Sequence, residues 1–140
     1  LSAAAGVATL ELIRDTDACE RASATAERLR RGFNEILEAE RVPWAVYGAH
    51  SFFNFFTNPE NRPLRPTTFH AASVPIDWFK SDKREGLLAK TRLGMLVHGI
   101  DLKGWRGGIV SAAHTDADVD WTLDAWRKTL RALKAEGDLV

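Results

Sequence analysis

A change in the spacing of apolar residues near Pro43 constrains the fold of this chain more than any other feature. From Ala18 to about Glu40, apolar residues recur at intervals of three and four, while Arg and Glu occupy the opposite side. After Pro43, the β-formers Trp44 and Val46 and a Gly-Ala-His break lead to a second apolar run, Phe52–Phe56. The sequence therefore predicts a long amphipathic helix followed by two short strands that form a hairpin.

The second of these strands, in the segment SFFNFFT, is apolar on both faces. In an extended strand, Phe53 and Phe55 point to one side, while Phe52, Asn54 and Phe56 point to the other. We therefore expect both sides to be covered. The helices can supply one layer, but the sequence shows no obvious supplier of the second layer within this chain.

The middle of the chain reads as a loop and a helix. Asn58 to Pro75 contains four of the five prolines, which predicts a long loop. In the following SDKREGLLAKTRLGMLVHG, Ser81 or Asp82 can begin a helix and Gly99 can end it. Its expected apolar face consists of Leu87, Leu88, Met95 and Leu96.

The last third predicts two short strands and a helix. IDLKGWRGGIVS reads as a strand, a Gly-rich turn and a second strand, and the final helix runs from about Asp116 to Lys134. Its apolar stripe is Val119, Leu123, Trp126, Leu130 and Leu133. The chain is therefore expected to be an α/β protein of the two-layer α+β kind, with three to four short strands in an antiparallel or mixed sheet covered by helices.

The first helix, Ser2 to Ile13, is apolar on most of its sides and is predicted to be largely buried. The chain begins within this pattern, with no basic leader before it. This start suggests that more polypeptide precedes Leu1.

Composition narrows the classes of function. The chain of 140 residues fits one domain, and its 19 basic and 19 acidic residues leave no electrostatic case for binding nucleic acid or an acidic membrane. No run reaches the roughly 20 apolar residues that a membrane span needs. Cys19 is the single cysteine, which is typical of a reducing compartment, so we expect a cytoplasmic protein.

Ser111, His114 and Asp116 raise three alternatives: a catalytic group, a metal site or a strand-to-helix junction. The G-x-S-x-G elbow of hydrolases is absent, and a three-residue spacing does not by itself aim a hydroxyl at an imidazole. No histidine has the spaced His or Cys partner of a metal site. Thr115 followed by Asp118 fits a helix cap, so the structural interpretation is favoured, with no catalytic and no metal residue assigned.

Two further segments have a structural and a functional interpretation. Cys19 is expected to pack at a helix start. In KGWRGG, Gly104, Gly107 and Gly108 are expected to mark tight turns between short strands. Arg106, beside Trp105, can clamp a substrate carboxylate through two parallel hydrogen bonds, although a solvent-facing loop arginine is the simpler interpretation.

Four segments, in this order, resemble class III aminotransferases and most closely the glutamate-1-semialdehyde 2,1-aminomutase group. They are LSAAAGVATLELI, LRRGFNEIL, VYGAHSFFNFFT and LVHGIDLKGWRGGIVSAAHTDADVDWTLDA. The resemblance spans nearly the whole chain. It implies the C-terminal small domain of a fold-type I enzyme, with residues 1–15 as the end of the inter-domain helix and 16–140 as the small α/β domain.

The resemblance implies amino-group transfer by pyridoxal phosphate in a homodimeric full-length enzyme that acts on an amino acid or keto acid. The cofactor lysine would lie in a large domain upstream, so this chain is expected to hold no cofactor and to be inactive alone. None of its lysines, namely Lys80, Lys83, Lys90, Lys103, Lys128 and Lys134, has matching context. Trp105 and Arg106 replace the acidic residue of the aminomutase turn, which favours a transaminase.

A different class of function stays open. The chain is alternatively a free-standing, non-catalytic α/β module that binds a protein partner through its phenylalanine-rich face.

Overall fold

A computed structural model describes residues 2–80, 84–102 and 106–139. In these ranges the chain forms five α-helices, three β-strands and two short 3-10 turns. The helices are α1 (Ser2–Asp15), α2 (Ala18–Ala39), α3 (Ile76–Lys80), α4 (Glu85–Val97) and α5 (Asp116–Ala135). The strands are β1 (Ala45–Tyr47), β2 (Phe52–Phe56) and β3 (Gly107–Ile109), and the 3-10 turns are Pro66–Thr68 and Ala71–Ser73.

The strands form one antiparallel sheet in the order β1-β2-β3. β1 and β2 pair as the predicted hairpin, with Val46 opposite Phe55, and β3 pairs with the other edge of β2, with Gly108 opposite Phe53. Helices α2, α4 and α5 pack together as the second layer. The predicted two-layer α/β fold with a small antiparallel sheet is therefore confirmed.

The core lies between the sheet and helices α2 and α5. Phe55 stacks on Trp126 with ring centroids 4.8 Å apart, and Phe33 packs against Phe53 at 5.2 Å. Burial of each such ring stabilises the fold by roughly 1.5–3 kcal/mol. The predicted apolar faces of α2 and α5 are buried as expected, except that Leu123 is half-buried.

The outer face of the sheet, on the side away from these helices, is partly covered by the proline-rich segment and by helix α3, which follows it. Phe56 is 2% exposed because the rings of Phe69, Trp78 and Phe79 pack around it. The expectation that this chain supplies no second layer is therefore wrong for the end of β2. Its beginning does stay open, because Phe52 and its cross-strand neighbour Ile109 are 41% and 55% exposed.

Helix α1 forms as predicted, but its predicted burial is wrong within this chain. Every described residue of α1 is exposed, including Val7, Leu10 and Leu12. The helix has little contact with α2 and none of the core lies beneath it. An apolar pattern indicates that a helix face is to be buried, but it does not show which part of a protein buries that face.

The segment that follows α4 also differs from prediction. Gly99 ends α4 as expected: its φ of 85° is accessible to glycine, and Ile100 N–H bonds back to the carbonyl of Met95 at 3.0 Å. Residues 100–102 form no strand, whereas Gly107 and Gly108, expected in a turn, lie in β3. Gly107 is needed there because a Cβ would lie 1.9 Å from the carbonyl oxygen of Phe53. Ser81 and Asp82, the predicted helix start, lie outside the described residues.

Candidate functional site

Arg106, the predicted carboxylate ligand, lies directly before β3 and is half-buried. Its carbonyl accepts a hydrogen bond from Phe55 N–H at 2.6 Å, which extends the β2–β3 pairing by one residue. The backbone at this position is therefore held by the sheet independently of the side chain. Trp105, predicted to lie beside it in the site, falls outside the described residues.

Ser111 and His114 come together at the other end of β3. Ser111 Oγ lies 3.1 Å from His114 Nδ1, and the Ser111 N–H donates to the same ring nitrogen at 3.1 Å. The spacing thus does place a hydroxyl against the imidazole, contrary to the sequence-based expectation. Five residues of extended chain separate Ser111 from Arg106, or about 16 Å, so these groups do not form one site.

Among the described residues, the nearby acidic side chains do not complete this pair as a third catalytic group. Asp116 binds Arg28, and Arg28 also binds Asp120 at 2.6 Å. Asp118 accepts from Thr115 N–H at 2.7 Å, while Thr115 Oγ1 accepts from Asp118 N–H at 3.3 Å. This capping box confirms the structural interpretation of Thr115 and Asp118. The hydrogen bonds that the Asp118 carboxylate accepts from the backbone N–H and the hydroxyl of Thr115 lower the pKa of Asp118.

A cluster of polar groups that the sequence did not reveal lies where β2 ends. Arg84 Nη2 donates to the carbonyls of Thr57 at 3.0 Å and of Asn58 at 2.7 Å. Asn58, 1% exposed, uses its amide to bind both backbone groups of Arg62. Thr57, Asn58 and Arg84 line a cavity of about 300 Å³. Asn58-Pro59 signalled a turn, but nothing local linked it to Arg84, which lies 26 residues further on.

Cys19 and the described acidic and imidazole side chains do not form a further candidate site. Cys19 lies in the first turn of α2 and is exposed, so the expectation that its thiol packs there is wrong. Within residues 2–80, 84–102 and 106–139, no three His, Cys, Asp or Glu side chains could jointly hold a metal ion. Across the same ranges, no helix combines the length and apolar character that crossing a membrane requires.

The four described lysines all lie in ion pairs at the surface. Lys90 contacts Asp138 at 2.6 Å, and Lys128 contacts Asp124 at 2.6 Å. Lys80 lies 3.3 Å from Asp77, and Lys134 lies 3.6 Å from Glu40. Such pairing favours a protonated ammonium rather than a nucleophilic amine, and the paired carboxylates raise the pKa of Lys90.

Comparison with solved structures identifies the class of fold. The chain superposes on a crystal structure of an omega-transaminase from Sphaerobacter thermophilus with a TM-score of 0.62 and 23% sequence identity. The match covers 82% of this chain and 24% of the transaminase. The described architecture is therefore that of part of a transaminase fold. No family model matches the sequence.

Sequence comparison identifies particular relatives. The chain is 31% identical over 140 residues to a glutamate-1-semialdehyde 2,1-aminomutase of Delftia acidovorans, a match that covers 95% of the chain and 28% of the relative. Proteins with the same name from Desulfitobacterium hafniense and Methanosarcina acetivorans are 32% and 30% identical, covering 95% and 92% of the chain. The predicted resemblance to this group of enzymes is therefore confirmed. The chain spans less than a third of the length of the curated relatives it matches.

Proposed function

We propose that this chain is the small C-terminal domain of a pyridoxal-phosphate-dependent aminotransferase or aminomutase-like enzyme and is catalytically incomplete by itself. The observation that carries this proposal is the pair of coverages in the comparison with the Delftia acidovorans aminomutase. Nearly the whole chain, 95%, matches only 28% of that enzyme. Residues 1–15 would form the end of the helix between domains, and 16–140 the small domain itself.

The uncovered apolar surfaces support this proposal. Leu10 on α1 is 68% exposed, and Phe52 and Ile109 leave the beginning of the sheet's outer face open. Covering exposed apolar groups with another protein surface is favourable, because it removes them from water. A large domain of the same polypeptide, or the second subunit of a homodimer, would provide that cover.

The described residues do not fit the cofactor site of such an enzyme. The cofactor requires a lysine amine that is free to react, and Lys80, Lys90, Lys128 and Lys134 are all ion-paired. We therefore assign no step of the reaction to these described lysines. The large domain would hold pyridoxal phosphate and supply the chemistry of amino-group transfer.

The proposed role of this domain is to close over the pocket and to select the substrate, an amino acid or keto acid, in a cytoplasmic enzyme. Arg106 is the proposed recognition residue, and Trp105 its neighbour in the site. A guanidinium can bind a carboxylate through two parallel charge-assisted hydrogen bonds. The backbone hydrogen bond between Arg106 and Phe55 would fix the main chain from which this guanidinium extends.

A protein-interaction module without catalytic activity is the second candidate, and the exposed apolar residues on α4 and α5 favour it. Leu93, Val97 and Trp121 are 59%, 81% and 56% exposed. In this case the chain would be complete without an upstream domain, and its partner would be a separate protein.

The two proposals are separated by complementation with the rest of the polypeptide. The chain alone should transfer no amino group in the presence of pyridoxal phosphate, an amino donor and a keto acid, and the separately purified upstream segment should restore transfer when mixed with it. Replacing Phe52 and Ile109 by Asp should block this restoration, while exposed Arg127→Gln should not. Turnover by the chain alone, or a gene that encodes no upstream segment, would contradict the proposal.

A further inference from the structure

A groove of about 520 Å³ runs along one edge of the sheet, away from Arg106 and from the Ser111–His114 pair. One wall is a face of α2, and the opposite wall is the segment Phe69–Ala72. The floor is the end of β1, residues 46–48. The α2 wall consists of Glu27, Arg30, Arg31 and Asn34, which share a face because of their helical spacing.

Two neighbouring arginines in this groove form no ion pair with a carboxylate of the described residues. Arg30 Nη1 donates to the carbonyls of His50 and Phe52, both at 2.9 Å, so neutral acceptors hold the guanidinium in place. Arg31 is exposed and makes no ion pair within the described part of the chain. By contrast, Arg28 and Arg65, which do not line the groove, each bind an acidic side chain.

The local charge balance is positive. Glu27 is the one acidic side chain among the described lining residues, and Asn34 is already bound to β1 through its amide. Burial lowers the pKa of Arg30, while the charge of Glu27 opposes that effect. A half-buried cation that is incompletely compensated is stabilised by an anion from solution.

The floor and the opposite wall together add an apolar and a hydrogen-bonding surface. Tyr47 and Phe69 line the groove with ring centroids 6.5 Å apart, and both rings are half-buried. His70 is exposed next to Phe69 and has no side-chain partner among the described residues. Aromatic surface beside two guanidinium groups suits a ligand that carries a flat apolar part and an anionic group.

We propose that this groove binds a small molecule that joins a flat apolar group to a phosphate or a carboxylate. Arg31 and His70 contact the anionic group from opposite walls, Arg30 sets the positive potential beneath it, and Tyr47 and Phe69 contact the apolar part. This binding site goes beyond the proposed role in amino-group transfer. It rests on residues of this chain alone, so it stands or fails independently of that role.

The test is titration of the isotopically labelled chain by NMR with phenyl phosphate, benzoate, inorganic phosphate and phenol. Phenyl phosphate or benzoate should cause saturable shifts of the amide signals of Val46–Gly48 and His70–Ala72, and the tighter of the two identifies the anionic group. Phenol lacks the charge and inorganic phosphate lacks the ring, so both should bind more weakly. Binding should also weaken as salt is added.

Arg31→Gln and His70→Gln change exposed side chains, so both variants should keep the fold, as their spectra will show. Loss of the Arg31 charge should weaken binding about tenfold. Arg127→Gln is the matched control, since Arg127 is an exposed arginine on α5 that makes no ion pair within the described residues. The proposal is overturned if no saturable shift maps to the groove at about 20 mM ligand, or if Arg127→Gln weakens binding as much as Arg31→Gln.

Discussion

The Asn34 side chain on α2 pairs with both backbone groups of Val46 at the free edge of β1. Its Nδ2 donates to the Val46 carbonyl at 2.8 Å, and its Oδ1 accepts from the Val46 N–H at 2.7 Å. A side chain thus occupies the position that another strand would take, which both anchors the helix on the sheet and blocks edge-to-edge pairing.

Replacing Asn34 with Leu should therefore destabilise the chain strongly. Val46 is 3% exposed, so water cannot easily replace the lost partners, and two unsatisfied groups cost roughly 2–4 kcal/mol together. Urea unfolding of the isolated chain measures the difference. Glu35→Leu, a change at the exposed neighbour, is the control and should alter stability little. Equal effects of the two substitutions would show that the edge contact contributes nothing.

Removal of the buried Thr129 hydroxyl should have the opposite effect on stability. Thr129 is 1% exposed, and its Oγ1 has no hydrogen-bond partner within the described residues. Thr129→Val keeps the shape and removes the unsatisfied group, so the free energy of unfolding should rise by about 1 kcal/mol.

Thr91 provides the matched control for this substitution, because it is equally buried but donates to the Leu87 carbonyl at 2.8 Å. Thr91→Val should therefore lower stability by about 1 kcal/mol. Thermal or urea unfolding of both variants checks the contrast. Destabilisation of similar size at both positions would mean that the Thr129 hydroxyl is satisfied in solution.

Acid should destabilise the fold in part through Glu40. Burial of this carboxylate raises its pKa, but the Arg131 hydrogen bond at 2.8 Å and the charges of Arg131 and Lys134 outweigh that effect, so the pKa lies below the ordinary 4.5. A lowered pKa means that the folded state favours the ionised form. The contribution is therefore complete above the ordinary pKa and is lost as pH falls through the folded value.

Glu40→Gln should accordingly reduce the dependence of unfolding free energy on pH below 4.5, while leaving the trend at higher pH unchanged. Urea unfolding at a series of pH values provides the measurement. Arg131→Gln should have a similar effect, because it removes the main favourable partner. An unaltered slope in both variants would contradict the assignment.

The capping box at α5 is worth a separate test. Thr115→Ala removes the acceptor of Asp118 N–H and should cost about 1 kcal/mol. Thr115→Ser keeps the hydroxyl and should restore most of the loss, which a role in packing alone would not predict. Ser111→Ala should leave the cap intact, since Ser111 Oγ accepts from Ala113 N–H outside the helix.

The parts of the fold that could be predicted from the sequence are those that show in the regular spacing of apolar residues along a helix or a strand. The stripe containing Leu29 and Phe33 on α2 and the stripe containing Trp126 on α5 face one core, so periodicity alone placed them. The alternation in β2 correctly placed Phe53 and Phe55 on the same side of the sheet, and the structure shows that this is the side the helices cover. These patterns are local, and the core that satisfies them belongs to this chain.

The parts that could not be predicted depend on contacts distant in sequence. Phe69 lies in the proline-rich segment, which has no regular period, and Phe79 lies on α3, whose five residues are too few to show one, so the sequence did not reveal that both pack on Phe56. The bond from Arg84 to Asn58 joins a helix start to a turn after a strand, and no local pattern in the sequence links the two positions. The apolar residues of α1 predicted burial, yet no described part of the chain buries them.

The role proposed for Arg106 makes the most direct prediction for the whole enzyme. Because the contact with Phe55 uses the carbonyl of Arg106, a changed side chain leaves the sheet bond in place. Arg106→Ala should raise KM for dicarboxylic amino acids at least about tenfold, through loss of a bidentate pair, and should change KM for monocarboxylic ones much less. Arg106→Lys keeps the positive charge but cannot donate two parallel hydrogen bonds. Its KM for dicarboxylic amino acids should therefore lie between that of the unchanged enzyme and that of Arg106→Ala. Steady-state kinetics with both substrate classes, with Arg127→Ala as control, decides the matter: if KM for dicarboxylic substrates is unchanged in Arg106→Ala, the residue does not recognise a carboxylate.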